Sequence, residues 1–443
     1  MPDTISTASA VREVPPSTRP SRPFALATAL LAAVAFCVSL ALAAALAGSS
    51  VHAEWNVLFD ADPNVYLHNF ATGYTIGTWG GRGLVHPNLT NLVYPVVRLL
   101  ALVIGHLPAH VGSKLEIRDA LAFHISPVVA VIRVVLVMLL MQELGLSLAW
   151  SIGLTLLDMA SFSTLLFSSI PESYAFTGAV VLALFWLGAR TARSQQPPGV
   201  ASWLFWTALA TAIATLNLGA AAIVRTFTEA SRRPFLRAAA MTAAIAAVAL
   251  FVNLAALKAS QRVFDARPLG LVETTPQIAD AWDPGIDRAL VDYPRALANG
   301  IAAPPPAIWA HPDSNYVHPF VLTLERGRPG VRTGDPRTVL VLLFLAFAAV
   351  AGWRWLPRMS RPIHMAALVV LAEGAVVHAF FGKELLLYTQ HWHAAVLVLL
   401  ASLYYAPPPA RRILDWALPG LVAVVAVNNL LTMSAILRIL RLP

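Results

Sequence analysis

The chain predicts an all-α polytopic membrane protein, and three observations carry that expectation. Apolar side chains make up 58% of the 443 residues and charged ones only 12%, whereas a soluble chain carries about 25% charged residues. Mean hydropathy is +0.67. Apolar runs of about 20 residues recur along the chain, each long enough as a helix to cross about 30 Å of hydrocarbon. The net charge of +8, with 31 Lys+Arg, fits arginine-bearing cytoplasmic loops better than nucleic-acid binding. Cys37 is the only cysteine, so no disulfide forms within the chain and the redox compartment is unreadable.

Residues 1–23 are rich in Ser, Thr, Pro and Arg and read as a disordered cytoplasmic tail. The apolar run at 24–47 follows Arg19 and Arg22, and Val51-His52-Ala53 mimics a cleavage site. That run exceeds the 7–15 residues of a signal h-region, so it reads as a retained anchor. Further apolar segments fall near 89–107, 120–142, 148–168, 173–189, 202–230, 235–257, 338–356, 363–381, 385–405 and 413–436. The total is about ten or eleven membrane helices. Pro95 and Arg98 make 89–107 a candidate for lying along the surface, and Asn217-Leu-Gly219 makes 202–230 a candidate hairpin. With both features, Arg190, Arg193, Arg232, Arg233, Arg237, Arg354, Arg358, Arg361, Arg411 and Arg412 share the cytoplasmic side. The competing assignment makes each a single crossing and moves Arg190 and Arg193 outside. Both assignments keep Asp60, Asp62 and the loop at 258–336 outside. The chain thus divides into a membrane module at 24–257 with its first outer loop at 48–88, a lid-like outer loop at 258–336, and C-terminal helices at 337–443. No internal repeat is visible, so an inverted-repeat transporter gains no support.

Charges inside apolar segments need partners, because each costs a few kcal/mol in hydrocarbon. Arg133 and Asp158 flank the 143–147 turn at similar depth, roughly 19 Å away at 1.5 Å rise per residue. That spacing predicts a salt bridge stapling two antiparallel helices. Glu373 has no evident partner and stays unassigned.

Four polar motifs could carry chemistry. The first is Asp60-Ala-Asp62-Pro-Asn-Val-Tyr66, two carboxylates where the chain leaves the membrane. Its bland reading is Asp62 capping a short helix with Pro63 in its first turn. In Gly80-Gly-Arg82-Gly-Leu-Val-His86-Pro87, glycines permit close backbone approach and Arg82 offers a phosphate fork, although a Gly-rich turn needs no ligand. In Pro171-Glu172-Ser173-Tyr174, a proline and an acid also suit a helix start. The fourth, Lys383-Glu-Leu-Leu-Leu-Tyr388-Thr-Gln-His391-Trp-His393, offers a cation for a lipid phosphate. His391 and His393 would point about 200° apart on a helix, which argues against one metal held by both. No nucleophile elbow appears, so a serine hydrolase is not expected.

Taken together, these motifs resemble the GT-C class of integral-membrane glycosyltransferases: protein O-mannosyltransferase-like and aminoarabinose-transferase-like enzymes with an uncharacterised bacterial branch. Asp62 and Tyr66 are similar to that family's acidic motif in the first outer loop, and His86-Pro87 falls where relatives carry a basic residue near the lipid phosphate. Glu172-Ser-Tyr174 resembles a short polar motif on the same face. The resemblance covers the first 230 or so residues. One departure is Pro63, where several branches carry a second acid.

The resemblance implies a GT-C-like bundle in the inner (plasma) membrane, with the N-terminus cytoplasmic and the active face periplasmic. It implies inverting transfer of a sugar from a polyprenyl-phosphate donor to a glycan, lipid or protein acceptor, with Asp62 as general base. His86, Arg82, Lys383 and His391, with Tyr66, Glu172 and Tyr174, would bind substrate and lipid phosphate. Asp60 would orient Asp62 or hold a divalent cation such as Mg or Mn, or the enzyme would use no metal. Two other classes stay open. A transporter or flippase would face Arg133, Asp158 and Glu373 into one aqueous path, and a scaffold would show no convergence of polar groups. Asn88-Leu-Thr90 matches a glycosylation acceptor, a triplet common by chance.

Overall fold

The computed structural model describes residues 21–47, 58–59, 61–73, 86–104, 114–194, 196–263, 291–310, 320–323, 336–380 and 385–441. It is an all-α polytopic fold, as the hydropathy pattern predicts. Seven described helices are long and apolar enough to cross a membrane, and four shorter apolar helices accompany them.

The order runs α1 (Arg22–Ala47), α2 (Pro63–Thr72), α3 (Leu89–Ile104), α4 (Lys114–Glu143), α5 (Leu148–Ala160), α6 (Phe162–Phe167), α7 (Ser173–Arg193), α8 (Val200–Ile213), α9 (Asn217–Ala230) and α10 (Phe235–Val263). Then follow α11 (Tyr293–Ile301), the strands β1 (Ala307–Ala310) and β2 (Phe320–Thr323), α12 (Pro336–Trp355), α13 (Arg361–His378), α14 (Thr389–Ser402) and α15 (Pro408–Ile439). β1 and β2 form an antiparallel ribbon with Ala307 opposite Thr323.

α7 and α14 form the centre. They are the most enclosed of the long apolar helices, while α10 and α15 leave most of their surface uncovered by protein. Helices from both halves of the chain pack into this bundle, α7 against α4, α9 and α14, and α13 against α9. Their apolar side chains form one continuous buried cluster.

The arginine-bearing turns gather at one end. Arg193 Nη1 donates to Leu144 O at 2.9 Å and to Ser360 Oγ at 2.9 Å, and Arg232 donates to Ser194 O. That geometry matches the hairpin version of the chain path. Residues 202–230 form two helices, α8 and α9, that pack together around a turn at 214–216. The tip of this hairpin points away from the arginine-rich end. α3, with Pro95 inside, is only 16 residues long, shorter than any of the seven candidate spans.

Three details depart from the expected segments. The run at 148–168 breaks at Ser161 into α5 and α6. Asn429 of α15 serves the break by donating to Ala160 O at 2.8 Å and also to Ile301 O at 2.6 Å, while its Oδ1 accepts from Ala303 N at 3.0 Å. The outer loop is more than a lid. Its helix α11 is wedged among α6, α12, α13 and α14, with Tyr293 Oη donating to Leu371 O at 2.8 Å. Burial holds the Tyr293 phenol well above its ordinary pKa, and the Glu373 carboxylate adds in the same sense, so the donor stays protonated. Finally, Asn88 is buried, and its Nδ2 donates to Asn253 O at 2.9 Å and to Asn253 Oδ1 at 2.8 Å. The Asn88 triplet is therefore a polar clasp between α3 and α10, not an exposed glycosylation acceptor.

Candidate functional site

The site lies at the end of the bundle opposite the arginines, and five stretches of chain build it. Leu58 and Phe59 enter first, and Ala61 N–H donates back to Leu58 O at 3.0 Å. Phe59 adopts φ +55°, uncommon for a residue with a side chain. Two contacts hold it there: its N–H donates to Leu322 O of β2 at 2.9 Å, and its ring packs edge-on to Phe162 at 5.7 Å. The first outer loop is thus stitched to the second.

Asp62 follows as the residue before α2, with Pro63 supplying the fixed φ of the first turn. Its side chain makes no capping hydrogen bond, so capping does not account for the carboxylate. The residue is buried, 4% exposed. Its N–H donates to Glu172 Oε2 at 3.1 Å.

Glu172 sits just before α7, itself 2% exposed. Its Oε1 accepts from Ser173 N at 2.9 Å and from Ser173 Oγ at 3.1 Å. One carboxylate therefore clamps the start of α7 to the start of α2, and charge-assisted bonds of this kind are about twice as strong as neutral ones. The negative charge also faces the positive ends of two helices. Glu172 is best understood as a residue that positions Asp62.

One turn into α2, Tyr66 lies 6.0 Å from the His86 ring in an edge-on contact. His86 Nδ1 is 2.7 Å from Ile213 O at the end of α8. A carbonyl only accepts, so Nδ1 carries the proton and Nε2 is left as the basic nitrogen. On the other side of the hairpin tip, His391 Nδ1 lies 2.8 Å from Asn217 Oδ1. Asn217 Nδ2 donates to Ala210 O at 3.1 Å, which turns Oδ1 toward the ring. His391 therefore also carries its proton on Nδ1. The two sides of the α8–α9 hairpin tip thus fix the same tautomer on two histidines, His86 and His391.

Tyr174 closes the circuit, with ring centroids 6.5 Å from His391, 6.0 Å from Tyr388 and 5.0 Å from Phe167. Asp62, Tyr66, His86, Glu172, Tyr174 and His391 are thus linked by one circuit of contacts around the hairpin tip. Asp60, Arg82 and Lys383 lie outside the described residues. Among the described residues, no three His, Cys, Asp or Glu side chains converge as metal ligands. Asp62 and Glu172 alone make a poor cation site, because both Glu172 oxygens accept from N–H or O–H groups.

A second polar cluster lies deeper. Arg133 and Asp158 pair as their spacing predicts, Nε to Oδ2 at 2.8 Å and Nη2 to Oδ1 at 2.5 Å. Two members escaped the sequence reading. Gln390 accepts from Arg133 and donates to Ser163 Oγ at 2.9 Å, and His393 Nε2 lies 3.1 Å from Asp158 Oδ1. Their signal was present: Gln390 and His393 are three apart, hence on one face of an apolar helix beside two buried charges. The opposite facing of His391 and His393 is as expected. Gly178 makes room for the cluster, since a Cβ there would overlap both Arg133 and Gln390. Glu373 also finds an explanation: its carboxylate rests on Gly219 at the N-terminal turn of α9, where the helix dipole favours an anion.

Comparison with known proteins adds no name to this geometry: no family model, curated protein or solved structure matches the chain.

Proposed function

We propose that this protein is a membrane glycosyltransferase that moves a sugar from a polyprenyl-phosphate donor to an acceptor at the end of the bundle opposite the arginines, the periplasmic face in this reading. One observation carries the proposal. Asp62, Tyr66, His86, Glu172, Tyr174 and His391 come from four separate stretches of chain and converge where apolar helices end. Lipid-facing helices beside a polar constellation suit a substrate with a prenyl tail and a charged head.

The reaction would be a single displacement. The acceptor hydroxyl attacks the anomeric carbon, its proton passes to the Asp62 carboxylate, and the bond from that carbon to the phosphate oxygen breaks. Glu172 holds Asp62 in place through the backbone. Arg82, Lys383 or a His86 protonated at Nε2 would stabilise the charge of the departing prenyl phosphate, with Tyr66, Tyr174 and His391 shaping the pocket around it. A divalent cation, if the reaction uses one, would depend on Asp60.

The pairing of Arg133 with Asp158 favours this reading over transport, because charges committed to each other do not line an aqueous path. The test compares lipid and glycan extracts, by mass spectrometry, from cells lacking the protein and cells carrying wild type or Asp62→Asn. The expectation is one glycoconjugate lost on deletion and restored by wild type but not by the variant. Full restoration by a well-expressed Asp62→Asn protein removes Asp62 from the role.

A further inference from the structure

We infer that the turn between α12 and α13, at the arginine-rich end, is a binding site for an anionic phospholipid. Arg354, Arg358 and Arg361 fall within eight residues on this turn. Among the described residues, no carboxylate lies within salt-bridge distance of any of them, and Arg361 Nε is buried without a hydrogen-bond acceptor. Three other arginines at the same end are committed to the protein: Arg193 to Leu144 O and Ser360, Arg233 to Glu229, Arg411 to Asp415. Arg237 and Arg412, also without an ion pair among the described residues, lie on separate helices and form no cluster. The three on this turn are neither committed nor scattered.

The surroundings select a lipid over a free anion. Arg361 folds back over the ring of Trp353, 5.5 Å from its centroid, and Trp353 is 42% exposed at the helix end. An aromatic ring at that level marks the headgroup boundary. Below it, Leu340, Leu343, Phe347 and Val350 expose a continuous apolar stripe along α12. Leu340, Phe347 and Arg354 are seven residues apart, two helical turns, so the stripe runs directly into the first arginine. Acyl chains would lie along the stripe and a negative headgroup would meet three guanidiniums, whose planar forks suit phosphate oxygens. A zwitterionic headgroup brings the same chains but cancels most of the charge. This inference does not depend on the transferase reading, since the turn is at the opposite end of the bundle.

The experiment is native mass spectrometry of the intact, detergent-solubilised protein titrated with dioleoyl phosphatidylglycerol, dioleoyl phosphatidylcholine or inorganic phosphate. An anionic surface contributes about five-fold per arginine, so the glycerol lipid should bind on the order of 100-fold more tightly than the choline lipid. R354Q/R358Q/R361Q should abolish that preference, whereas R237Q/R412Q, at the same end, should leave it intact. Unchanged preference in the triple variant overturns the inference, as does equal loss in the control variant. Inorganic phosphate displacing the lipid at equal concentration also overturns it in favour of a free-anion site. Should the triple variant fail to fold, each single Arg→Gln variant is expected to lose about five-fold, and no loss in all three is a refutation.

Discussion

Replacing Arg133 with Met should destabilise the protein by about 4 kcal/mol. The side chain forms two charge-assisted hydrogen bonds to Asp158 and one to Gln390, all fully enclosed between α4, α5 and α14. Methionine has nearly the same reach, so the loss is electrostatic and not a cavity. What remains is Asp158, 0% exposed, with His393 as its one side-chain partner among the described residues. A buried charge stripped of its partner costs about 3–5 kcal/mol, and the orphaned Gln390 oxygen adds in the same direction. Removing both charges, as in Arg133→Met with Asp158→Leu, should recover most of the loss, to within about 2 kcal/mol of wild type. Reversible unfolding in mixed micelles measures both quantities; with Asp158→Leu alone also costing about 4 kcal/mol, because it strands the buried guanidinium, the double-mutant cycle should give a coupling of about 6 kcal/mol. If Arg133→Met alone costs under about 1 kcal/mol, or if the double variant is as unstable as the sum of the singles, the pair is not the staple described here.

Two further outcomes follow from the same geometry. Asn429→Leu should cost about 2–4 kcal/mol, because it unsatisfies Ala160 O, Ile301 O and Ala303 N at once, and limited proteolysis should then cut the segment around α11 first. In a host that glycosylates Asn-x-Ser/Thr triplets, wild type and Asn88→Gln should show no glycan difference by intact mass, since Asn88 is enclosed against Asn253; a glycan lost in the variant would place Asn88 on the surface.

The membrane class was legible because hydropathy averages over long windows, and one misread residue changes little. The Arg133–Asp158 pair was legible for a similar reason: two charges equidistant from a turn meet whatever the details. The hairpin tip was visible only as a helix interruption, and nothing local to Asn217 says that it orients His391, because that contact spans 174 residues of chain. For Glu172 the helix-start reading was legible locally, from Pro171 and Ser173 beside it, but its reach to the Asp62 N–H, 110 residues away, was not. That buried carboxylate, accepting from two backbone N–H groups, holds the chain together. Asn429 gave no local signal at all. It lies in a long apolar helix and matters only because a helix elsewhere breaks at Ser161, whose hydroxyl donates back to Leu157 O instead of capping the helix that follows.

The shortness of the α8–α9 hairpin has an electrical consequence. Each arm is 14 residues, about 21 Å at 1.5 Å per residue, against about 30 Å of hydrocarbon. With its base at one hydrocarbon boundary, the tip would halt about 9 Å short of the other. An ion drawn down to the depth of the tip would then cross roughly a third of the voltage drop, about 0.7 kcal/mol per elementary charge at 100 mV. That is about three-fold in occupancy, enough for an energised membrane to tune how readily a charged ligand settles there.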